Sequence, residues 1–210
     1  MTTLLLKNGR AAWKRVHAII PSVSFAGDVM VFTHHYIFGT LTDFLTGEKI
    51  QDTHDERFRQ DIAKSLVEEK GYDKQDIRPG VDIFAKADIK TAVVKLDFLI
   101  YLENKAYMLI KYGPGSIITR HRPGIAASRL VEPYQIPVVV VTNGVDADIL
   151  DGKTSKITGS GLDNIPDKKT LLGLNVENVF PEIMAKRAEM ESRILYTFEI
   201  EDSCETNCML

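Results

Sequence analysis

One alternating segment, residues 92–102, restricts the fold more than any other part of the chain. Its even-numbered residues are all apolar, whereas its odd-numbered residues include Lys95 and Asp97. A period of two is typical of a β-strand that turns one face to a core. A polar turn at residues 103–105 then leads into a second apolar segment, residues 106–111. The two segments therefore predict a β-hairpin.

The register of this hairpin decides which polar residues meet. A three-residue loop centred on Asn104 would pair Leu102 with Ala106, and it would then place Asp97 opposite Lys111. Opposed residues of an antiparallel pair have Cβ atoms about 5 Å apart, so we expect these two side chains to share a face. A slip of one residue would separate them. The two residues either belong to a catalytic site or form an ordinary ion pair between neighbouring strands.

The segments on either side of the hairpin complete a mixed α/β pattern. Thr53 and Glu56 are spaced as a capping box at the start of an amphipathic helix that ends before Gly71. Further segments predict a strand, a helix and a strand with four consecutive valines, at residues 81–86, 122–131 and 137–142. The predicted core is α-β-β-β-α-β with a mixed sheet, and its last two strands are joined by a parallel crossover.

Three parts are predicted along the chain. Residues 1–52 form an N-terminal lead-in with a helix at 11–19 and a strand-like run at 29–36, residues 53–152 form the core, and residues 153–210 form a C-terminal helical appendage. The helical pattern of the appendage covers residues 176–195. Between Glu177 and Glu205 there are eight acidic and three basic residues, so this part is not expected to face a polyanion.

Charge is distributed unevenly. The net charge of -3 argues against a protein that coats nucleic acid through bulk charge. Residues 104–131, however, contain no acidic residue and carry five basic ones: Lys105, Lys111, Arg120, Arg122 and Arg129. Apart from Lys111, these residues are candidates for binding a phosphodiester backbone. The alternative is that the arginines are solvated charges on a helix.

The remaining composition fits a cytoplasmic protein without a membrane anchor. No apolar run approaches the roughly 20 residues that span a bilayer. Cys204 and Cys208 do not make a disulfide framework, and two thiols alone cannot complete a tetrahedral zinc site. They are ordinary thiols, or they form a metal site or a disulfide between the two copies of a homodimer.

The order of these elements resembles the PD-(D/E)XK nuclease fold, with Asp97 on one strand and Lys111 on the next. Short motifs resemble the N-terminal nuclease domain of type I restriction enzyme R subunits over roughly residues 45–150. They include Thr46-Gly47-Glu48, Asp52-Thr53, Glu56-Arg57, Gln60, Gly71-Tyr72, Asp97-Phe98, Leu109-Ile110-Lys111, Pro114-Gly115-Ser116, Ala126-Ala127-Ser128-Arg129-Leu130 and Val141-Thr142-Asn143-Gly144.

The resemblance implies metal-dependent cleavage of DNA, with the subunits of a restriction-modification system as further partners. Asp97 would bind Mg²⁺ or Mn²⁺, Glu56 would be the helix carboxylate near the metal, and Lys111 would stabilise charge on the phosphate.

One departure from the family pattern concerns the metal site. The motif has an acidic residue two positions before the lysine, and this chain has Leu109 there. Glu56 is the better replacement ligand, because Glu103 lies several residues from Lys111 along the strand. The alternative function is a catalytically inactive module that keeps the nuclease fold and binds nucleic acid or a protein partner.

Overall fold

The computed structural model describes residues 37–174 and 180–201. The predicted helix at 11–19, the predicted strand at 29–36 and both cysteines lie outside these ranges. Within them the protein is mixed α/β, as predicted, with a six-stranded mixed sheet and helices on both of its faces.

The described residues form eight strands and four α-helices. The strands are β1 (Ile37–Thr42), β2 (Lys49–Thr53), β3 (Ile77–Ala87), β4 (Lys90–Leu102), β5 (Lys105–Tyr112), β6 (Val138–Thr142), β7 (Ala147–Asp151) and β8 (Ile157–Ser160). The helices are α1 (His54–Glu68), α2 (His121–Ser128), α3 (Lys168–Leu172) and α4 (Ala185–Glu201).

The main sheet has the order β3-β4-β5-β6-β7-β8, and β1 pairs with β2 in a separate two-stranded sheet. Strands β5 and β6 are parallel, as the crossover predicts, and the other neighbours are antiparallel. The predicted strands correspond to β3 to β6. Strands β7 and β8 were not predicted, and they extend the sheet across residue 152, where the sequence suggested a boundary.

Two apolar clusters cover the two faces of the sheet. Ile62, Ala63 and Leu66 of α1 belong to the first cluster, together with Ile110 of β5. The second cluster contains Leu109 of β5, with buried residues of α2 and α4. Consecutive residues of β5 thus enter opposite clusters, as the pleat of a strand requires.

The β4–β5 hairpin has a shorter turn than predicted. Leu102 pairs with Lys105, not with Ala106, and only Glu103 and Asn104 form the turn. Both turn residues have positive φ, 50° and 64°, which is the geometry of a type I′ turn. A bulge follows between Ile100 and Tyr101, and beyond it Phe98 pairs with Ile110. The ladder ends at this pair, and its register, continued by one residue, would place Asp97 opposite Lys111.

The alternation of β4 changes sides at Asp97. Val94 and Leu96 belong to the second cluster, whereas Phe98, at the same parity, belongs to the first. The ladder with β3 lacks a pair at this point, opposite Gly80, whose φ of 62° is the left-handed conformation that favours glycine. Because the ladder is interrupted here, the Asp97 side chain does not have to lie on the same face as Leu99, two residues along the strand, and it reaches Arg59 on the other face.

Helix α4 is packed against the core. Glu191, Leu195 and Glu199 are four residues apart, which places them on one face of the helix. Glu191 and Leu195 are both completely buried. The acidic residues of the predicted appendage therefore include some that point into the protein, where they meet basic residues.

Candidate nuclease-like site

The first two turns of α1 present an acid, Glu56, and an arginine, Arg59, to the interior of β4. Thr53 caps the helix, and its hydroxyl accepts a hydrogen bond from the Glu56 backbone N–H at 3.1 Å. The Glu56 carboxylate accepts a hydrogen bond from Gln60 Nε2 at 2.9 Å. Glu56 is thus a first-turn acid, and its side chain is also held in a fixed position beside Arg59.

Arg59 lies between the two predicted metal-binding carboxylates. Its Nε atom is 2.6 Å from Asp97 Oδ1, and its Nη1 atom is 3.5 Å from Glu56 Oε2. Burial works against the charged guanidinium, but Asp97 first, then Glu56 and Asp55, outweigh that effect and raise the pKa of Arg59. One permanent cation therefore bridges Asp97 and Glu56.

Asp97 is fixed on its other side by the backbone of β5. Its Oδ2 atom accepts a hydrogen bond from the Tyr112 N–H at 2.7 Å, and the side chain is only 9% exposed. The Tyr112 ring lies 5.1 Å from the Arg59 guanidinium, and its hydroxyl donates to Asp55 at 2.9 Å. Burial, and then the hydrogen bond to Asp55, raise the pKa of Tyr112. The tyrosine therefore stays neutral and acts as a donor.

Lys111 contacts a residue that the sequence did not single out. Its Nζ atom is 3.0 Å from Glu199 Oε2 of α4, and the lysine side chain is 5% exposed. The second oxygen of Glu199, Oε1, is buried and has no hydrogen-bond partner among the described residues. The ammonium charge of Lys111 is therefore neutralised by a carboxylate at the end of α4.

The two residues that define the motif do not bind each other. Asp97 reaches Arg59 on α1, whereas Lys111 reaches Glu199 on α4, and these helices pack on opposite faces of the sheet. Within the described ranges no ion pair joins Asp97 to Lys111. The site therefore consists of two adjacent ion pairs, and the catalytic roles assigned from the sequence stay predictions.

The four predicted DNA-binding residues do not form one patch. Lys105 begins β5 and its ammonium lies over the Phe180 ring, 4.7 Å from the centroid. At a rise of about 3.3 Å per residue, it is roughly 20 Å along the strand from Lys111. Arg120 is half-buried, and its guanidinium lies against Gly113.

The other two predicted residues share a buried acid. Arg129 Nη1 lies 2.7 Å from Glu191 Oε1, and Arg122 Nη1 lies 2.6 Å from Glu191 Oε2. Arg187 also contacts Glu191, at 2.7 Å. Arg129 is 8% exposed and so has no surface to offer a phosphate, whereas the Arg122 side chain is 38% exposed. Burial tends to raise the pKa of Glu191, but Arg122 and Arg129 outweigh burial and hold it below its usual value.

One comparison with known proteins identifies the family. The sequence profile described as type I restriction enzyme R protein N terminus matches residues 54–166, which is more than half of the chain. The chain belongs to this family. Neither the curated proteins nor the solved structures gave a significant match.

The matched segment begins with α1 and includes the three predicted catalytic residues and Arg59. Glu199 lies outside it, on a helix that still contacts the site. No helix in the described part of the chain is long and apolar enough to cross a membrane.

The side chains do not fit the metal that the restriction enzyme family implies. Both oxygens of Asp97 are occupied, one by Arg59 and one by the backbone of Tyr112. Leu109 is completely buried in the second apolar cluster. In residues 37–174 and 180–201 there is no group of three or more His, Cys, Asp or Glu side chains placed to hold a metal ion. The cationic group beside Asp97 is a side chain of the protein.

Sequence reasoning missed Arg59 and Glu199. Arg59 follows Glu56 by three residues on a predicted helix, so helical spacing already placed the two side chains on one face. Glu199 follows Leu195 by four residues, but no local pattern connects it to Lys111, 88 residues earlier. Only the packing of α4 on the sheet brings that pair together.

Proposed function

We propose that this member of the restriction enzyme R family is a nuclease-fold module that binds the phosphodiester backbone of DNA without cleaving it. The family is named for a restriction enzyme, and restriction enzymes act on DNA. The proposal follows from the state of Asp97 and of Leu109, and not from the fold alone.

Leu109 is the observation that carries the proposal. The family pattern has an acidic residue at this position, and here an apolar side chain with 0% exposure packs in the second cluster. Mg²⁺ is usually held by one or two carboxylates together with waters and substrate oxygens, so the loss of one carboxylate weakens such a site directly. The remaining carboxylate, Asp97, is already neutralised by Arg59.

The cations that could receive a phosphate lie near the end of β5 that carries Lys111. Arg59 lies beside Tyr112, the last residue of β5, and its side chain is 33% exposed. Arg122 is the second residue of α2, and its side chain is 38% exposed, although it also contacts Glu191. Arg120 lies against Gly113, directly after β5. Arginine is suited to bidentate contact with phosphate and supplies affinity without reading the base sequence. We place the DNA backbone across this end of the sheet, and not near Lys105.

Salt-dependent binding tests this proposal. Fluorescence anisotropy with a labelled DNA duplex, in EDTA, would be measured at several salt concentrations. Two to three phosphate contacts predict a slope of log K against log salt of about -2 to -3. Arg120→Ala is expected to weaken binding and to make the slope shallower, whereas the matched control, Lys105→Ala, is expected to leave both unchanged. Binding that is absent, or that does not respond to salt, would refute a DNA-binding role and favour a protein partner such as another restriction-modification subunit.

Metal-dependent cleavage of DNA is the second candidate, and one observation favours it. Asp97 and Glu56 both contact the Arg59 guanidinium, so the two carboxylates assigned to the metal lie on either side of one cationic group. Nicking of plasmid DNA that requires Mg²⁺ or Mn²⁺, and that is lost in both Asp97→Asn and Lys111→Ala, would establish cleavage and overturn the non-cleaving proposal.

A further inference from the structure

We propose that the Arg59 guanidinium takes the place of a divalent metal ion in this site and holds Asp97 and Glu56 together. The inference rests on the assignment of these two carboxylates to the nuclease-like site, and it explains why the arrangement does not fit a metal. It assigns to Arg59 a role that neither the motif nor the family match gives it.

The contact geometry supports this role. Two different nitrogens of one planar group reach the two acids, with Nε at 2.6 Å from Asp97 and Nη1 at 3.5 Å from Glu56. A guanidinium has five N–H donors in a fixed arrangement and cannot lose its charge in a protein. It therefore keeps its charge wherever the two carboxylates are ionised, and a chelator cannot remove it.

The neighbouring groups orient the acids towards Arg59. The Tyr112 N–H holds the second oxygen of Asp97, and the Gln60 amide holds the second oxygen of Glu56. Gln60 is itself fixed, because its Nε2 also donates to Asp43 at 2.8 Å and its Oε1 accepts from the Phe44 N–H at 2.7 Å. Each carboxylate thus has one oxygen bound to the surrounding protein and one oxygen directed at the guanidinium.

The local charge explains what the removal of Arg59 would do. Asp97, Glu56 and Asp55 all act on Arg59 strongly enough to raise its pKa. Without the guanidinium, Asp97 and Glu56 would lose the cation that both of them contact. Hard divalent cations prefer oxygen ligands of this kind. Removal of the arginine should therefore create a metal site that the native chain does not have.

Isothermal titration of Mn²⁺ into the full chain tests the inference. Arg59→Met keeps an unbranched side chain against Tyr112 but removes the charge. Its matched control is Arg57→Met, because Arg57 lies on the same helix, is 52% exposed and pairs with Asp52 instead. We expect no Mn²⁺ binding below about 1 mM for the native and Arg57→Met chains, and at least about tenfold tighter binding for Arg59→Met. The added substitution Asp97→Asn should abolish the new binding.

Two results would overturn the inference. In the first, the native chain binds Mn²⁺ with the same affinity as Arg59→Met. In the second, Arg59→Met still binds Mn²⁺ after Asp97→Asn has been added. If Arg59→Met does not fold, the native chain supplies the test through its melting temperature. Mn²⁺ should not raise it relative to EDTA, and a rise that Asp97→Asn removes would contradict the inference. DNA binding of the same native chain in EDTA keeps the two proposals apart, because its loss would refute the proposed function and leave the role of Arg59 standing.

Discussion

Glu191 is predicted to be the acid on which the stability of the α4 packing depends most. The side chain is 0% exposed and contacts Arg129, Arg122 and Arg187, whose side chains are 9%, 38% and 47% exposed. Glu191→Gln keeps the shape and removes the charge. The two exposed arginines lose at most about 1 kcal/mol each, because water screens such pairs. Arg129 is left buried beside a neutral amide, and an uncompensated buried charge costs about 3–5 kcal/mol.

We expect the lower end of that range, about 3 kcal/mol, because the glutamine oxygen can still accept a hydrogen bond from Arg129. For a chain of this size the corresponding fall in melting temperature is about 6–12 °C. Urea denaturation at pH 7, followed by circular dichroism, measures the change in the free energy of unfolding. The control is Glu189→Gln, since Glu189 is 65% exposed and pairs with Arg193 on the surface of the same helix. Equal effects of the two substitutions, both below about 0.5 kcal/mol, would show that the charge of Glu191 does not stabilise the packing of α4.

Three further predictions concern the same framework. Because the pKa of Glu191 lies below its ordinary value of 4.5, its stabilising effect is complete above that value and is lost as the pH falls through the lowered pKa. The stability difference between the native chain and Glu191→Gln should therefore shrink below about pH 4.5, and a difference that grows on acidification would contradict the assignment. Leu109→Glu should destabilise the protein by more than about 3 kcal/mol in urea, because it buries an acid in an apolar cluster, whereas Leu109→Met should cost less than about 1.5 kcal/mol. Glu103→Gly should stabilise the β4–β5 turn by up to about 1 kcal/mol in the same assay, since glycine adopts a φ of 50° without strain, and a loss of stability would argue against the type I′ geometry.

The fold could be predicted from the sequence wherever one local pattern decided the structure. The alternation of residues 92–102 corresponds to β4, the spacing of Thr53 and Glu56 marks the start of α1, and the valines at 138–141 lie in β6. The hairpin shows how far such patterns reach. The predicted loop was one residue too long. The bulge between Ile100 and Tyr101 compensates for that residue, so the register beyond it still directs Asp97 towards the position opposite Lys111, although the sequence pattern indicated no bulge.

The side-chain partners of the site could not be predicted in this way, because they depend on tertiary packing. Parity placed Asp97 on the face of Leu99, but the interrupted ladder at Gly80 lets it reach Arg59 on the other side. The uniform basic run suggested a phosphate-binding surface, yet Arg129 is buried against Glu191, which is 62 residues further along the chain. The order of charged residues along the chain does not show whether basic side chains lie on the surface or are buried against the acidic residues of another helix.

The central claim is that Arg59 occupies the position of the cation beside Asp97. A crystal structure of the native chain soaked in Mn²⁺ tests it most directly. Anomalous diffraction would locate any bound manganese. We expect no anomalous peak at Asp97 and a guanidinium that bridges Asp97 and Glu56. A manganese ion bound to Asp97, with Arg59 displaced, would contradict it.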